Sequence, residues 1–324
     1  MDEKTAFERY LYEDGKEIFL NDIEFCVDRL IMLPKIRPHQ LEKSVRLSIE
    51  FCRIADFRRS IIEKSNQCPV LIYQLYKRGI LVFEEIEPFL RYSGSFLLCY
   101  YFRKVNQNFD SFVESKQIPS DINKSILENS NQVDQMIEYG FMTSSIEYCL
   151  KYDVIENLFD FNISNQEAIW SPFEWSIRPK YHDFLSFSGF FGSIKCFKHL
   201  LMKGFEVNEK VMSMVVCSGS FDLYHLCQNH CFLSINQACF ASEFYHLPLL
   251  VYFIENGVDV NTKVENDFSI IHIAASSGHL SVVEYLVNQK ADINAKDNRV
   301  EFLDLIGLLF IMLLKMVILV LLNI

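Results

Sequence analysis

The chain has 324 residues, enough for two ordinary domains or one repeat array, with 50% apolar and 23% charged residues. That balance excludes extensive disorder, a collagen-like chain and a disulfide-dense miniprotein. The net charge of −11 comes without any long run of Lys or Arg, which argues against duplex nucleic acid as a partner.

The start, Met1-Asp2-Glu3-Lys4, is charged and is not followed by an apolar run, so no secretory signal is visible. The ten cysteines are therefore expected to be reduced core thiols in a cytoplasmic protein. Ile18-Phe19, Ile23, Cys26-Val27 and Leu30 form one apolar stripe at helical spacing, and Val45, Leu47 and Cys52 repeat the style. Pro34 and Pro38 are expected to bracket the first break. Cys68-Pro69 opens a further helix, with proline in the first turn, and Gly79 stops it. Phe83–Leu90 starts another. Residues 104–143 are polar and read as a linker with one short helix.

From Ser144 the pattern changes to short helix pairs, the first split by a turn at Tyr152-Asp153. Gly257-Val-Asp-Val-Asn261 and Lys290-Ala-Asp-Ile-Asn294 lie 33 residues apart, as do Ala241/Ala274, His246/His279 and Leu250/Val283. A further copy is Gly204-Phe-Glu-Val-Asn208, and a shorter unit surrounds Ser218-Gly219-Ser220. The best-formed unit runs from Ser269 to Val287. Ser269 can N-cap its first helix, and Ala274 and Ala275 let neighbouring helices approach. Gly278 permits a positive φ, and Leu280, Val283, Leu286 and Val287 stripe the second helix. No unit can bury its apolar face alone, so stacking must make the core.

The unit resembles an ankyrin repeat. Ser269-Ile-Ile-His272 stands where the family has Thr-Pro-Leu-His, and Ala274-Ala275-x-x-Gly278-His279 follows the family pattern. The departures are Ile270 for proline and Asp267 for the turn glycine; one unit earlier, Asn236-Gln-Ala-Cys239 replaces the tetrapeptide and Tyr245 the glycine. Upstream, Cys149-Leu-Lys-Tyr-Asp153, Ser171-Pro-Phe173 and Phe191–Phe197 resemble a divergent ankyrin-like domain of unknown function, which precedes such repeats in expanded protist families. The expected fold is all-α, a helical leader followed by an ankyrin-type α-solenoid. Its expected parts are the leader 1–103, the linker 104–143, divergent pairs 144–235, repeats 236–298 and an apolar tail 299–324.

The resemblance implies a non-catalytic scaffold that binds a protein on its concave face. Carried onto the best unit, that face holds Glu265, Asn266, Phe268, Ile273, Ser276 and Ser277. Phe268 is an anchor if exposed; the alternative is that it packs on the adjacent repeat. His272 and His279 are implied to be structural, bonding backbone across the turn.

No Walker loop, H-E-x-x-H, G-x-S-x-G or paired C-x-x-C occurs, so neither catalysis nor a cofactor is expected. The window His225, Cys227, His230, Cys231 has metal-ligand types but the wrong spacing; a shared helix face for the two cysteines suits packing better. Ser93-Gly-Ser95 and Ser218-Gly-Ser220 read as turns, and Glu84, Glu85 and Glu87 as a solvated helix face.

Leu305–Leu322 holds a single charge, Lys315. Taken literally it suits a short tail anchor, which would make the protein a membrane adaptor, or an incidental apolar cap. A frameshift explains it better. Read one frame over, permitted codons from Met316 to Ile324 give Gly-His-Leu-Ser-Val-Val-Glu-Tyr, the string of Gly278–Tyr285. Working back to Ile306, permitted codons give Trp-Thr-Pro-Leu-His-Tyr-Ala-Ala-Lys-Asn. On that reading the tail is a frameshifted repeat, from a sequencing error or a truncated, non-functional gene copy.

Overall fold

The computed structural model describes residues 23–36, 41–64, 67–92, 130–163, 167–171, 173–174, 183–230, 232–264, 267–277, 279–293 and 295. Among the described residues it is all-α, with an isolated antiparallel bridge between Glu167 and Asp183. The chain divides into two compact units, Asp2–Phe184 and Leu185–Ile324.

The first unit contains α1 (Ile23–Ile36), α2 (Leu41–Phe51), α3 (Ala55–Glu63), α4 (Pro69–Lys77), α5 (Phe83–Tyr92), α6 (Ser130–Tyr139), α7 (Ile146–Tyr152) and α8 (Ile155–Leu158). Helix α1 packs on α2 and α3, α2 on α4, and α3 on α5. The core between them is aliphatic and aromatic: Leu30, Ile31, Val45, Phe57, Ile61, Leu71, Ile72, Leu75 and Ile86 are essentially solvent-free. Helix α4 starts on Pro69, whose missing N–H costs nothing in a first turn. It ends where Gly79 takes φ 69°, and Ile80 N–H then donates back to the Leu75 carbonyl. Pro34 departs from expectation. It lies inside α1, which runs two residues further. It is buried in the last turn, where one lost backbone bond is cheaper than exposing Leu33 and its neighbours.

Ion pairs join these helices at the rim. Arg58 of α3 donates from Nε and Nη2 to both carboxylate oxygens of Glu85 at 2.7 and 2.6 Å. Arg78 also grips Glu42 through both carboxylate oxygens, but from Nη1 and Nη2. Lys77 reaches Glu138 of α6 at 2.7 Å. Downstream, Ser145 caps α7 by accepting the Tyr148 N–H, and Asp153 ends it at φ 57°.

The second unit is a series of helix pairs: α9 (Phe184–Phe191) with α10 (Ile194–Met202), α11 (Glu209–Ser218) with α12 (Phe221–Cys227), α13 (Ile235–Glu243) with α14 (Leu247–Glu255), and α15 (Ile270–Ser276) with α16 (Leu280–Asn288). The first helix of each pair is the inner one. Inner helices α11, α13 and α15 stack side by side. Gly189 serves that stacking: a Cβ there would meet the Val215 side chain at 3.1 Å, tighter than ordinary contact, so glycine eases the approach of α9 to α11. Outer helices α12 and α14 meet through rings, Tyr224 on Phe253 at 5.3 Å and Phe221 on Tyr252 at 6.2 Å.

Each of the first three pairs turns on a left-handed residue: Gly192 (φ 74°), Gly219 (φ 73°) and Tyr245 (φ 57°). Gly278, its counterpart in the last pair, lies outside the described residues, as do Glu265, Asn266, residues 93–129 and the whole tail 299–324. Among the described residues no helix is long and apolar enough to cross a membrane.

Candidate interaction surface

The connections between pairs differ. Residues 203–208 and 228–234 join the earlier pairs, whereas 256–269 projects as a longer loop before α15. That loop folds on itself. Gly257 takes φ 103°, Val258 N–H donates to the Phe253 carbonyl, and Thr262 N–H to that of Asp259. Val264 N–H then donates to the Phe268 carbonyl at 2.7 Å, closing a hairpin whose turn residue Asp267 sits at φ 59°. Asn261 ties this loop to the next by accepting the Asp292 N–H at 2.8 Å and donating from Nδ2 to the Lys290 carbonyl at 3.2 Å.

Phe268 does not present itself to a partner. It is only 6% exposed and its ring lies 5.5 Å from that of His272, so it is a core residue of the repeat. The hairpin bond fixes its backbone just before the start of α15. Ser276 is exposed, and Ile273 and Ser277 are half-buried. Inner-helix residues in the same register on α13 are Phe240, half-buried, and Glu243, exposed. The surface therefore consists of a row running across α13 and α15.

Histidines hold the row together. His246 donates from Nε2 to the Cys217 carbonyl at 2.7 Å, and His279 from Nε2 to the Glu243 carbonyl at 2.8 Å. His246 follows the left-handed Tyr245, and each histidine satisfies a carbonyl at the end of the preceding inner helix, a group the helix itself leaves without a partner. His272 works within and beyond its repeat. Its Nδ1 accepts the Ser269 N–H at 3.1 Å and faces the Ser269 hydroxyl at 2.7 Å. An Nδ1 that accepts must be unprotonated, so Nε2 carries the hydrogen and donates to the Ala295 carbonyl at 2.9 Å. Ser269, expected to cap with its hydroxyl, shares that hydroxyl with the histidine.

Tyr245, at the position of a turn glycine, has a use. Its ring lies 5.0 Å from that of His279 and its hydroxyl shares a hydrogen bond with Ser281 at 2.7 Å, clasping the next pair. This inter-repeat contact compensates for a left-handed non-glycine residue.

Other chemical possibilities resolve into structure. Among the described residues no group of three His, Cys, Asp or Glu side chains could hold a metal. Helix α12 ends at Cys227 and His230 follows it; Cys231, expected to share a helix face with Cys227, lies outside the described residues. Burial pushes the Cys239 thiol up to about 12 and those of Cys52 and Cys68 to about 11, which keeps them protonated at neutral pH. Ser218 donates to the Val215 carbonyl and Ser220 accepts the Leu223 N–H, both ordinary turn and capping bonds. Glu85, read as part of a solvated face, is Arg58's partner.

Two features of the first unit were not read from sequence. Helix α7 grips the segment 167–174 with two charged side chains one turn apart. Glu147 accepts the Ile169 N–H at 2.8 Å, and Lys151 donates to Glu174 Oε2 at 2.6 Å. The Lys151 and Glu174 side chains are 3% and 0% exposed. Burial pulls the lysine below its ordinary value, against the pull of Glu174. The only signal was a lysine within an otherwise apolar stretch, Cys149-Leu-Lys-Tyr152.

Comparison with known proteins bears on the second unit. Residues 238–287 match the family described as ankyrin repeats (many copies). The chain is 43% identical over 54 residues to alpha-latrocrustotoxin-Lt1a of Latrodectus tredecimguttatus, 16% of this chain and 4% of that protein. It is 27% identical over 96 residues to L-asparaginase of Dirofilaria immitis, 30% of this chain and 16% of that protein. The chain thus spans a small fraction of the length of either curated relative. The helix pairs α13/α14 and α15/α16, joined by the histidine-to-carbonyl bonds, are the part of the chain that matches ankyrin repeats.

Proposed function

We propose that the chain is a non-catalytic, cytoplasmic scaffold that binds a protein partner on the concave face of its ankyrin array. Ankyrin repeats indicate a protein–protein interaction role. The observation that carries the finer reading is the row of equivalent positions on neighbouring inner helices: Phe240 and Glu243 on α13, Ile273 and Ser276 on α15, half-buried apolar side chains beside exposed polar ones. Ser277 borders the row, and the loop residues Glu265 and Asn266 are assigned to its edge from the sequence. A partner gains two half-buried apolar contacts ringed by groups that can hydrogen-bond, the composition of a small binding patch.

A photo-crosslinking residue placed at Ser276 is expected to capture the partner, whereas the same residue at Asn288 on outer helix α16 is not. Equal capture from both positions would remove the concave face from the reading. Charge reversal at Glu243 should weaken the complex about tenfold if its carboxylate lies against the partner.

A further inference from the structure

We propose that the face of α15 and α16 turned away from α13 is the docking surface for one more ankyrin repeat, encoded by codons 306–324 in the neighbouring reading frame. This goes beyond the binding role, because the occupant is a repeat of stated sequence rather than a partner protein.

Register along the array supplies the first argument. Val260 and Ile293 are equivalent, 33 residues apart in the matched strings Gly257–Asn261 and Lys290–Asn294. Val260 is buried at 7% exposure, while Ile293 is 44% exposed. The backbone around the two is alike: Gly257 and Lys290 both take a positive φ, and Val258 and Ala291 both donate their N–H to the carbonyl five residues back, Phe253 and Leu286. Val260 and Ile293 thus occupy the same place in a repeat, but Val260, which the pair α15/α16 follows, is buried and Ile293 is exposed. The chain at Ile293 has already taken the path that leads into another unit, and an apolar side chain waits uncovered on it.

The histidine bonds supply the second. His246 donates to the carbonyl of Cys217, and His279 to that of Glu243. Each acceptor lies at the end of an inner helix, and each donor follows the turn of the next pair. The next carbonyl in that series is Ser276's, 33 residues beyond Glu243. A following repeat should therefore bring a histidine after its left-handed turn.

The neighbouring frame supplies it. Joining the last base of each codon to the first two of the next, codons 309–324 permit Leu-His-Tyr-Ala-Ala-Lys-Asn-Gly-His-Leu-Ser-Val-Val-Glu-Tyr. Set beside Ile271-His272-Ile-Ala-Ala-Ser-Ser-Gly-His-Leu-Ser-Val-Val-Glu-Tyr285, this repeats the paired alanines, the Gly-His turn and the whole stripe of the outer helix. Its first histidine matches His272 and its second matches His279, the residues that make the two kinds of cross-repeat bond described above. The string stands about five residues beyond strict register, a displacement that a longer hairpin loop absorbs. An apolar sequence arises from the shift because the T-rich second codon positions of Leu, Ile, Val, Phe and Met fall at third positions in the other frame.

Sequencing the gene and its transcript tests the first half. The codons of Gly307, Phe310 and Leu322 are expected to be GGA, TTC and TTG, since only these allow Thr, His and the Val-Glu step. Any other codon at these three places overturns the proposal. The second half is tested with the chain restored to the neighbouring frame from codon 305 and continued to its stop. In an Ile293→Cys variant, alkylation of that cysteine, followed on its own peptide by mass spectrometry, is expected to slow about tenfold on restoring the frame. An unchanged rate, or a restored chain that does not fold, overturns the docking.

Discussion

Phe268 shows how one side chain can look like a contact residue and act as a core residue. It is a large aromatic beside a polar hairpin, but the Val264–Phe268 backbone bond turns it inward against His272. Phe268→Ala should therefore lower the stability of the second unit by about 3–4 kcal/mol, as a buried phenylalanine truncation does, read as a fall in urea midpoint. A variant of unchanged stability would return Phe268 to the surface. Lys290 tests the opposite sign. It takes φ 67° where the preceding repeat has Gly257. Lys290→Gly relieves a left-handed penalty of about 1–2 kcal/mol and adds somewhat less unfolded-chain entropy, so a gain of about 0.5 kcal/mol is expected. The carbonyl that accepts from Asn261 is retained in either variant.

At the level of elements, the ion pairs of the first unit separate into two kinds. Arg58 and Glu85 join α3 to α5 at the rim, each side chain about one-third exposed. Hydrogen bonds from Arg58 hold the Glu85 carboxyl below its ordinary 4.5, against a smaller opposing effect of burial. A lowered folded value means the contribution is complete above 4.5 and is lost as pH falls through that lower value. Glu85→Gln should thus cost less at pH 3 than at pH 6, with the difference of about 0.5–1 kcal/mol expected for a partly exposed pair. Urea titrations at the two pH values measure it. The Lys151–Glu174 pair is solvent-free, and Gly140 leaves room for its carboxylate that a Cβ would fill. Glu174→Gln strands a buried ammonium and should destabilise the unit by about 3–5 kcal/mol, while replacing both residues by Met and Leu should restore most of that loss.

The same contrast explains what sequence could reveal. Helix α4 was legible because Pro69 and Gly79 mark its ends locally, and α7 because Ser145 and Asp153 do. The repeat register was legible because matched residues recur at fixed spacing. Helix α1 running through Pro34, the inward turn of Phe268 and the α7 grip on 167–174 were not. Each depends on partners distant in sequence, and residue type alone does not say which partner will be near. The row Phe240–Ile273 was half legible: Ile273 came with the best-formed unit, whereas Phe240 needed the alignment of α13 on α15.

For the whole molecule, the stacked pairs imply a gradient of stability. A solenoid is held by each repeat's own energy and by its interfaces with immediate neighbours. Inner helix α13 has a neighbour on both sides, α11 and α15. Among the described inner helices α15 has one such neighbour, α13, and Ile293, which follows α16, is exposed. The α15/α16 pair should therefore open before the α13/α14 pair, through a local transition that leaves α11 to α14 folded. In native-state hydrogen exchange, amides of α16 are expected to exchange about tenfold or more faster than those of α14, a helix of equal length but more apolar sequence. Capping the exposed face with a further repeat should slow α16 toward the α14 rate and leave α14 nearly unchanged. If α14 and α16 exchange together before capping, the second unit unfolds as one block and neighbour interfaces do not set its order.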